Sequence, residues 1–108
     1  MSITYLANEN ERFFGRTVNP AAFERYEKLK AAAAPLEDAP YIKAVNYEPP
    51  LNVSKNVHIN VDMQASCLLI GDRKAALLRM LEIADHVSVI HMDGCTRMSF
   101  AIMDYWEA

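Results

Sequence analysis

A chain of 108 residues with 52% hydrophobic and 23% charged side chains has material for one core and is too apolar for intrinsic disorder. Its formal charge of -3 is evenly spread: residues 1–54 carry 6 basic and 7 acidic side chains, residues 55–108 carry 5 and 7. Neither half offers the basic surface that phosphate backbones require, which argues against nucleic acid as a partner.

The first residues include Ile3-Thr4-Tyr5-Leu6, a candidate short strand within an otherwise irregular segment 1–18, and Phe13-Phe14-Gly15, a ring-anchored loop. The first helix is expected from Asn19-Pro20. Asn is a favoured N-cap, and proline fits a first helical position, where its missing N–H has no partner to lose. At 100° per residue, Ala22, Phe23, Tyr26, Leu29 and Ala33 form one stripe, with Glu24, Arg25 and Lys28 facing away. Pro35 ends this helix.

Residues 35–55 form a proline-rich connection holding Pro35, Pro40, Pro49 and Pro50. Within it Tyr41–Tyr47 alternates, with Tyr41, Lys43, Val45 and Tyr47 on one side, and reads as an edge strand flanked by prolines. Val57, Ile59, Val61 and Met63 alternate with His58, Asn60 and Asp62, the pattern of a strand with one buried and one wet face. Cys67-Leu68-Leu69-Ile70 is apolar on both faces and reads as a central strand, and Gln64-Ala65-Ser66 either bends the preceding strand or turns it.

A second helix is expected over Arg73–Asp85 with Asp72 as its N-cap. Its apolar arc collects Ala76, Leu77, Met80, Leu81, Ile83 and Ala84, while Leu78 falls outside it. The sharpest signal follows. Asp93-Gly94 between alternating runs predicts a two-residue β-hairpin, read as type I′ with positive φ at both central positions. It pairs Met92 with Cys95, His91 with Thr96, Ile90 with Arg97 and Val89 with Met98. Val87, Val89, His91, Thr96, Met98, Phe100 and Ile102 then share the core face, and Ile90, Met92, Cys95, Arg97 and Met103 the other. The fold expected is one α+β domain over residues 1–108. It has the order α-β-β-α-β-β, a mostly antiparallel sheet of 4–5 strands with both helices on one face, and a C-terminal hairpin.

Catalytic grammar is missing. His91 and Cys95 tempt as a metal pair, but the hairpin register points them to opposite faces, and no Cys-x-x-Cys or helical His pair accompanies them. Cys67 lies in an apolar run where a thiol is packing, and no base can be placed beside Cys95. Neither two cysteines nor scattered carboxylates make a disulfide framework or an acid–base pair. No catalytic residue, metal or cofactor is therefore assigned, and the reading leans away from an enzyme. The start lacks a signal peptide's basic and apolar segments, and nothing approaches the roughly 20 apolar residues of a membrane span, so a cytoplasmic protein without membrane contact is expected.

Two sites remain as expectations. Gly71, Arg73 and Lys74 stand at a strand-to-helix junction, where a helix N-terminus could hold an anion or floor a small-ligand pocket, although Asp72 competes there. On the mixed hairpin face Ile90, Met92, Arg97 and Met103, with Tyr105 and Trp106 beyond, are the residue types that dominate interface cores. They favour a small protein-binding protein of inhibitor, immunity or adaptor type, whose partner is another protein or a second copy of itself.

Overall fold

The computed structural model describes residues 17–48, 55–64 and 72–107. Helix α1 spans Pro20–Ala33. Its cap is the one the sequence specifies: Asn19 Oδ1 accepts the Ala21 N–H at 3.1 Å, and Asn19 Nδ2 donates to the Asp104 carbonyl at 3.3 Å. Pro35 does not stop the chain outright; the helix tightens into a 3-10 turn over Ala34–Leu36. The buried stripe is Ala22, Tyr26, Leu29, Ala32 and Ala33, with Phe23 half-covered.

Strand β1 (Ile42–Tyr47) departs from simple alternation. Tyr41 sits at φ 69° and the register slips between Ile42 and Ala44, so Lys43 is the extra residue of a bulge. Ile42, Val45 and Tyr47 therefore share the side that Lys43 was expected to join, and Tyr41 is 53% exposed. Strand β2 (Val57–Met63) alternates buried Val57, Ile59, Val61 and Met63 with half-exposed His58, Asn60 and Asp62, as its pattern dictates.

Helix α2 spans Asp72–Ile83 and packs chiefly against α1 and the 3-10 turn. That placement narrows its buried arc to Ala76, Leu77 and Met80, with Ile83 half-buried. Leu81, expected inside the arc, is 41% exposed beside Leu78 at 43%.

Strands β3 (His86–Met92) and β4 (Cys95–Ile102) form the hairpin in the expected register, from Met92 opposite Cys95 to Val87 opposite Phe100. The turn type differs from expectation. Gly94 has φ 75°, whereas Asp93 is absent from the positive-φ residues, so the turn is not type I′ and has the φ signs of type II. Lys43 Nζ, freed by its bulge, donates to the Gly94 carbonyl at 2.8 Å and braces the tip.

All strand pairs are antiparallel and the order is β1-β2-β4-β3. This is the order that a two-fold axis normal to the sheet, passing between β2 and β4, generates from one helix–strand–strand unit. Both helices cover the same face, where Leu29, Tyr26, Leu77 and Met80 meet Ile59, Val61, Phe100 and Ile102. The expected strands at Ile3–Leu6 and Cys67–Ile70, the Phe13-Phe14-Gly15 loop and Gly71 lie outside the described residues.

Beyond β4 the chain turns inward. Tyr105 N–H donates to the Lys55 carbonyl at 2.7 Å, and Asn19 N–H donates to the Tyr105 carbonyl at 2.8 Å. Trp106 forms a β-bridge with Val18. The Tyr105 ring stands edge-on between Tyr26 and Trp106, with centroids 5.9 and 5.4 Å away.

Candidate functional site

The sheet face turned away from the helices is organised in cross-strand rows. Asn46, Asn60, Ser99 and Ser88 make a polar row through the middle. The next row toward the turn is Ala44, Asp62, Arg97 and Ile90. Arg97 grips Asp62 with two bonds, Nε to Oδ1 at 2.7 Å and the terminal amine to Oδ2 at 3.0 Å. This fork-on-carboxylate geometry is the strong form of an ion pair. The hydrogen bonds from Arg97 hold the Asp62 carboxyl below its ordinary range, against a smaller opposing effect of burial. Arg97 is thus spoken for within the chain, and its neighbours carry the free apolar surface.

Those neighbours are Ile90, directly opposite Arg97, and Met92, opposite the buried Cys95; they are 48% and 44% exposed. The expected patch does not extend further. Met103 is 42% exposed but stands eight residues along from Cys95, roughly 27 Å at strand rise. Tyr105 and Trp106 are 0% and 5% exposed, because the chain folds them under α1, so they are core side chains and not surface anchors. Sequence reasoning also missed Val89. It was assigned to the core face and does point to the helix side, yet it is 53% exposed. Its place midway along the edge strand β3, away from the main packing of α1 and α2, is the cause; alternation reports which face a residue takes and not how far the covering helices extend.

The alternative site is partly consumed by the fold. Arg73 is buried, and one terminal nitrogen donates to the Pro40 carbonyl at 2.9 Å while its guanidinium lies 5.1 Å from the Tyr41 ring centroid. It pins the bend before β1. Lys74 is exposed, and Gly71 lies outside the described residues. An open cleft of about 760 Å³ runs instead between α1 and α2, with Ala32 and Ala76 on its floor and Lys28, Arg79 and Glu82 among its lining.

The remaining ligand-type residues are dispersed. His91 Nδ1 lies 3.2 Å from Thr96 Oγ1, and His58 Nδ1 lies 3.3 Å from Glu48 Oε1. Among the described residues no three His, Cys, Asp or Glu side chains gather as a metal set. Among them, too, no helix is long and apolar enough to cross a membrane. Comparison with known proteins finds no matching family model, no matching curated protein and no matching solved structure.

Proposed function

We propose that this chain is a small non-enzymatic recognition protein, of inhibitor, immunity or adaptor type, that binds another protein chain through the β3–β4 hairpin. The observation that carries the reading is the run Val89, Ile90 and Met92, exposed on both faces of one strand with no charged residue in that strand. Large apolar side chains left out together at a strand edge cost solubility, and a partner that covers them recovers about 25 cal/mol per Å² of apolar surface. The ion pair of Arg97 with Asp62 fixes the floor beneath Ile90, so the patch is presented on a rigid sheet and not on a loose loop.

The test is a paired capture experiment. Tagged wild type and an Ile90→Asp/Met92→Asp double variant are incubated with lysate of the organism that encodes the chain, and retained proteins are identified by mass spectrometry. The expected result is a chain retained by wild type and lost by the variant, while both melt within about 0.5 kcal/mol of each other, as surface changes do. Equal retention by the two proteins overturns the reading.

A further inference from the structure

The hydrogen bonds fix which side of β3 carries no partner among the described strands. Glu48 N–H donates to the His58 carbonyl and Gln64 N–H to the Tyr41 carbonyl, both at 3.0 Å, so even-numbered residues of β2 bond toward β1. Odd-numbered residues of β2 consequently bond to the even-numbered residues of β4 opposite them. The odd-numbered residues of β4 are left for β3, and Asp85 N–H reaching the Ala101 carbonyl at 2.8 Å agrees. His86, Ser88, Ile90 and Met92 therefore spend their backbone groups on β4. Val87, Val89 and His91 direct theirs outward, along a side where no described strand lies.

Resting on the reading of the hairpin as a recognition surface, we infer that its partner is a second copy of this chain, joined by antiparallel pairing of β3 with β3 about a two-fold axis at Val89. Outward-bonding residues can face only outward-bonding residues, and centring on Val89 is the alignment that uses all three. Val89 then opposes Val89 of the second copy, and Val87 opposes its His91. On the other face Ser88 opposes its Ile90, and His86 opposes its Met92. Each exposed apolar residue of the strand gains a cross-strand neighbour. The axis is normal to the sheet, so the helices of both copies lie on one face of an eight-stranded sheet.

Charge selects the same occupant. The strand His86-Val87-Ser88-Val89-Ile90-His91-Met92 holds no Asp, Glu, Lys or Arg, so it offers a charged peptide no counter-charge and matches a copy of itself. The register does bring Asp93 toward Asp85 of the second copy, but Asp85 already pairs with Arg25. The opposite edge shows the contrast. β1 carries a device that discourages edge pairing, its bulge at Lys43, and β3 carries none.

Sedimentation velocity across the micromolar range tests this with three variants. Val89→Pro removes an outward N–H and no bond of the β3–β4 ladder, a placement that edge strands tolerate. Val89→Lys sets two ammonium groups face to face at the axis, and Leu78→Lys places a charge on the exposed side of α2 as a control. The expected result is a wild-type dimer of the 12.2 kDa chain, kept by Leu78→Lys and weakened roughly tenfold or more by both Val89 variants, with circular dichroism unchanged. A monomeric wild type overturns the inference, as does a dimer that survives both Val89 variants or is lost only with Leu78→Lys. A monomeric wild type that still captures a foreign protein through Ile90 and Met92 overturns self-pairing alone. The absence of both overturns the hairpin reading as well.

Discussion

Arg97 reaches across from β4 to clasp Asp62 on β2 with two hydrogen bonds, at 2.7 and 3.0 Å, at the one row where the sheet's polar middle gives way to its apolar edge. On one side of that pair lie Asn60 and Ser99, and on the other Ile90 stands opposite Arg97 itself. The pair stitches the two hairpins together where β2 meets β4. It also removes Arg97 from the list of residues free to hold a partner, which shifts the weight of any recognition onto Val89, Ile90 and Met92.

A second carboxylate is held in the same way. Burial alone would raise the Asp85 carboxyl, but hydrogen bonds from Arg25 and from the Met103 N–H outweigh it and keep it below the ordinary range. For Asp62 the Arg97 bonds are the leading influence and act in the same direction. A depressed folded value means stabilisation that is complete above the unfolded carboxylate value of 3.8 and is lost as pH falls through the lowered one. Unfolding midpoints in urea are therefore expected to fall as pH drops below the ordinary carboxylate value of 3.8. Asp62→Asn is expected to be less stable than wild type at neutral pH and to show a shallower acid slope. Parallel slopes for the two proteins would refute the assignment.

Trp106 offers the clearest contrast between core and surface. Buried against Tyr105 and bridged to Val18, it is expected to cost about 3–5 kcal/mol when cut to alanine, on the order of 15 °C in Tm. Met92→Ala, at an exposed position, is expected to change stability by less than about 0.5 kcal/mol. Thermal melts of the two variants decide it, and a mild effect of Trp106→Ala would mean that the C-terminal segment is not part of the core.

The ease of reading differed sharply along the chain. Asn19-Pro20, the Val57–Met63 alternation and Asp93-Gly94 are local signals whose energetics lie within a few residues, and element positions and hairpin register followed from them. The bulge at Lys43, the exposure of Leu81 and Val89 and the burial of Tyr105 and Trp106 depend on what lies opposite in space. Periodicity places a residue on a face but carries no information about whether another element covers it. Arg73 makes the point for the candidate site: read as a free cation at a helix start, it is committed to the Pro40 carbonyl and the Tyr41 ring, both more than thirty residues away in sequence.

The helix cap can be weighed in isolation. Asn19→Ala removes the acceptor of the Ala21 N–H and the donor to the Asp104 carbonyl, and it should cost about 1 kcal/mol. Asn19→Asp keeps the cap acceptor and loses only the donor to Asp104, so it is expected to fall between alanine and wild type. Equal urea midpoints for wild type and Asn19→Ala would show that the cap contributes nothing.

The turn gives a prediction in which type I′ and type II disagree in sign. Gly94 has φ 75°, and a Cβ built there meets only Lys43 Nζ, at 3.6 Å, so space is not what excludes a side chain. The left-handed backbone is the obstacle, and Gly94→Ala is expected to cost about 1–2 kcal/mol. Asp93 keeps a φ that an ordinary residue tolerates, at the position where type II turns favour proline. Asp93→Pro is therefore expected to leave stability unchanged or raise it by about 0.4–1 kcal/mol, through a less disordered unfolded chain. In a type I′ turn the same proline would have to adopt a positive φ its ring forbids, and the hairpin would be lost. Urea denaturation of Asp93→Pro thus separates the two turns by the sign of a single midpoint shift, and a marked loss of stability would restore the type I′ reading.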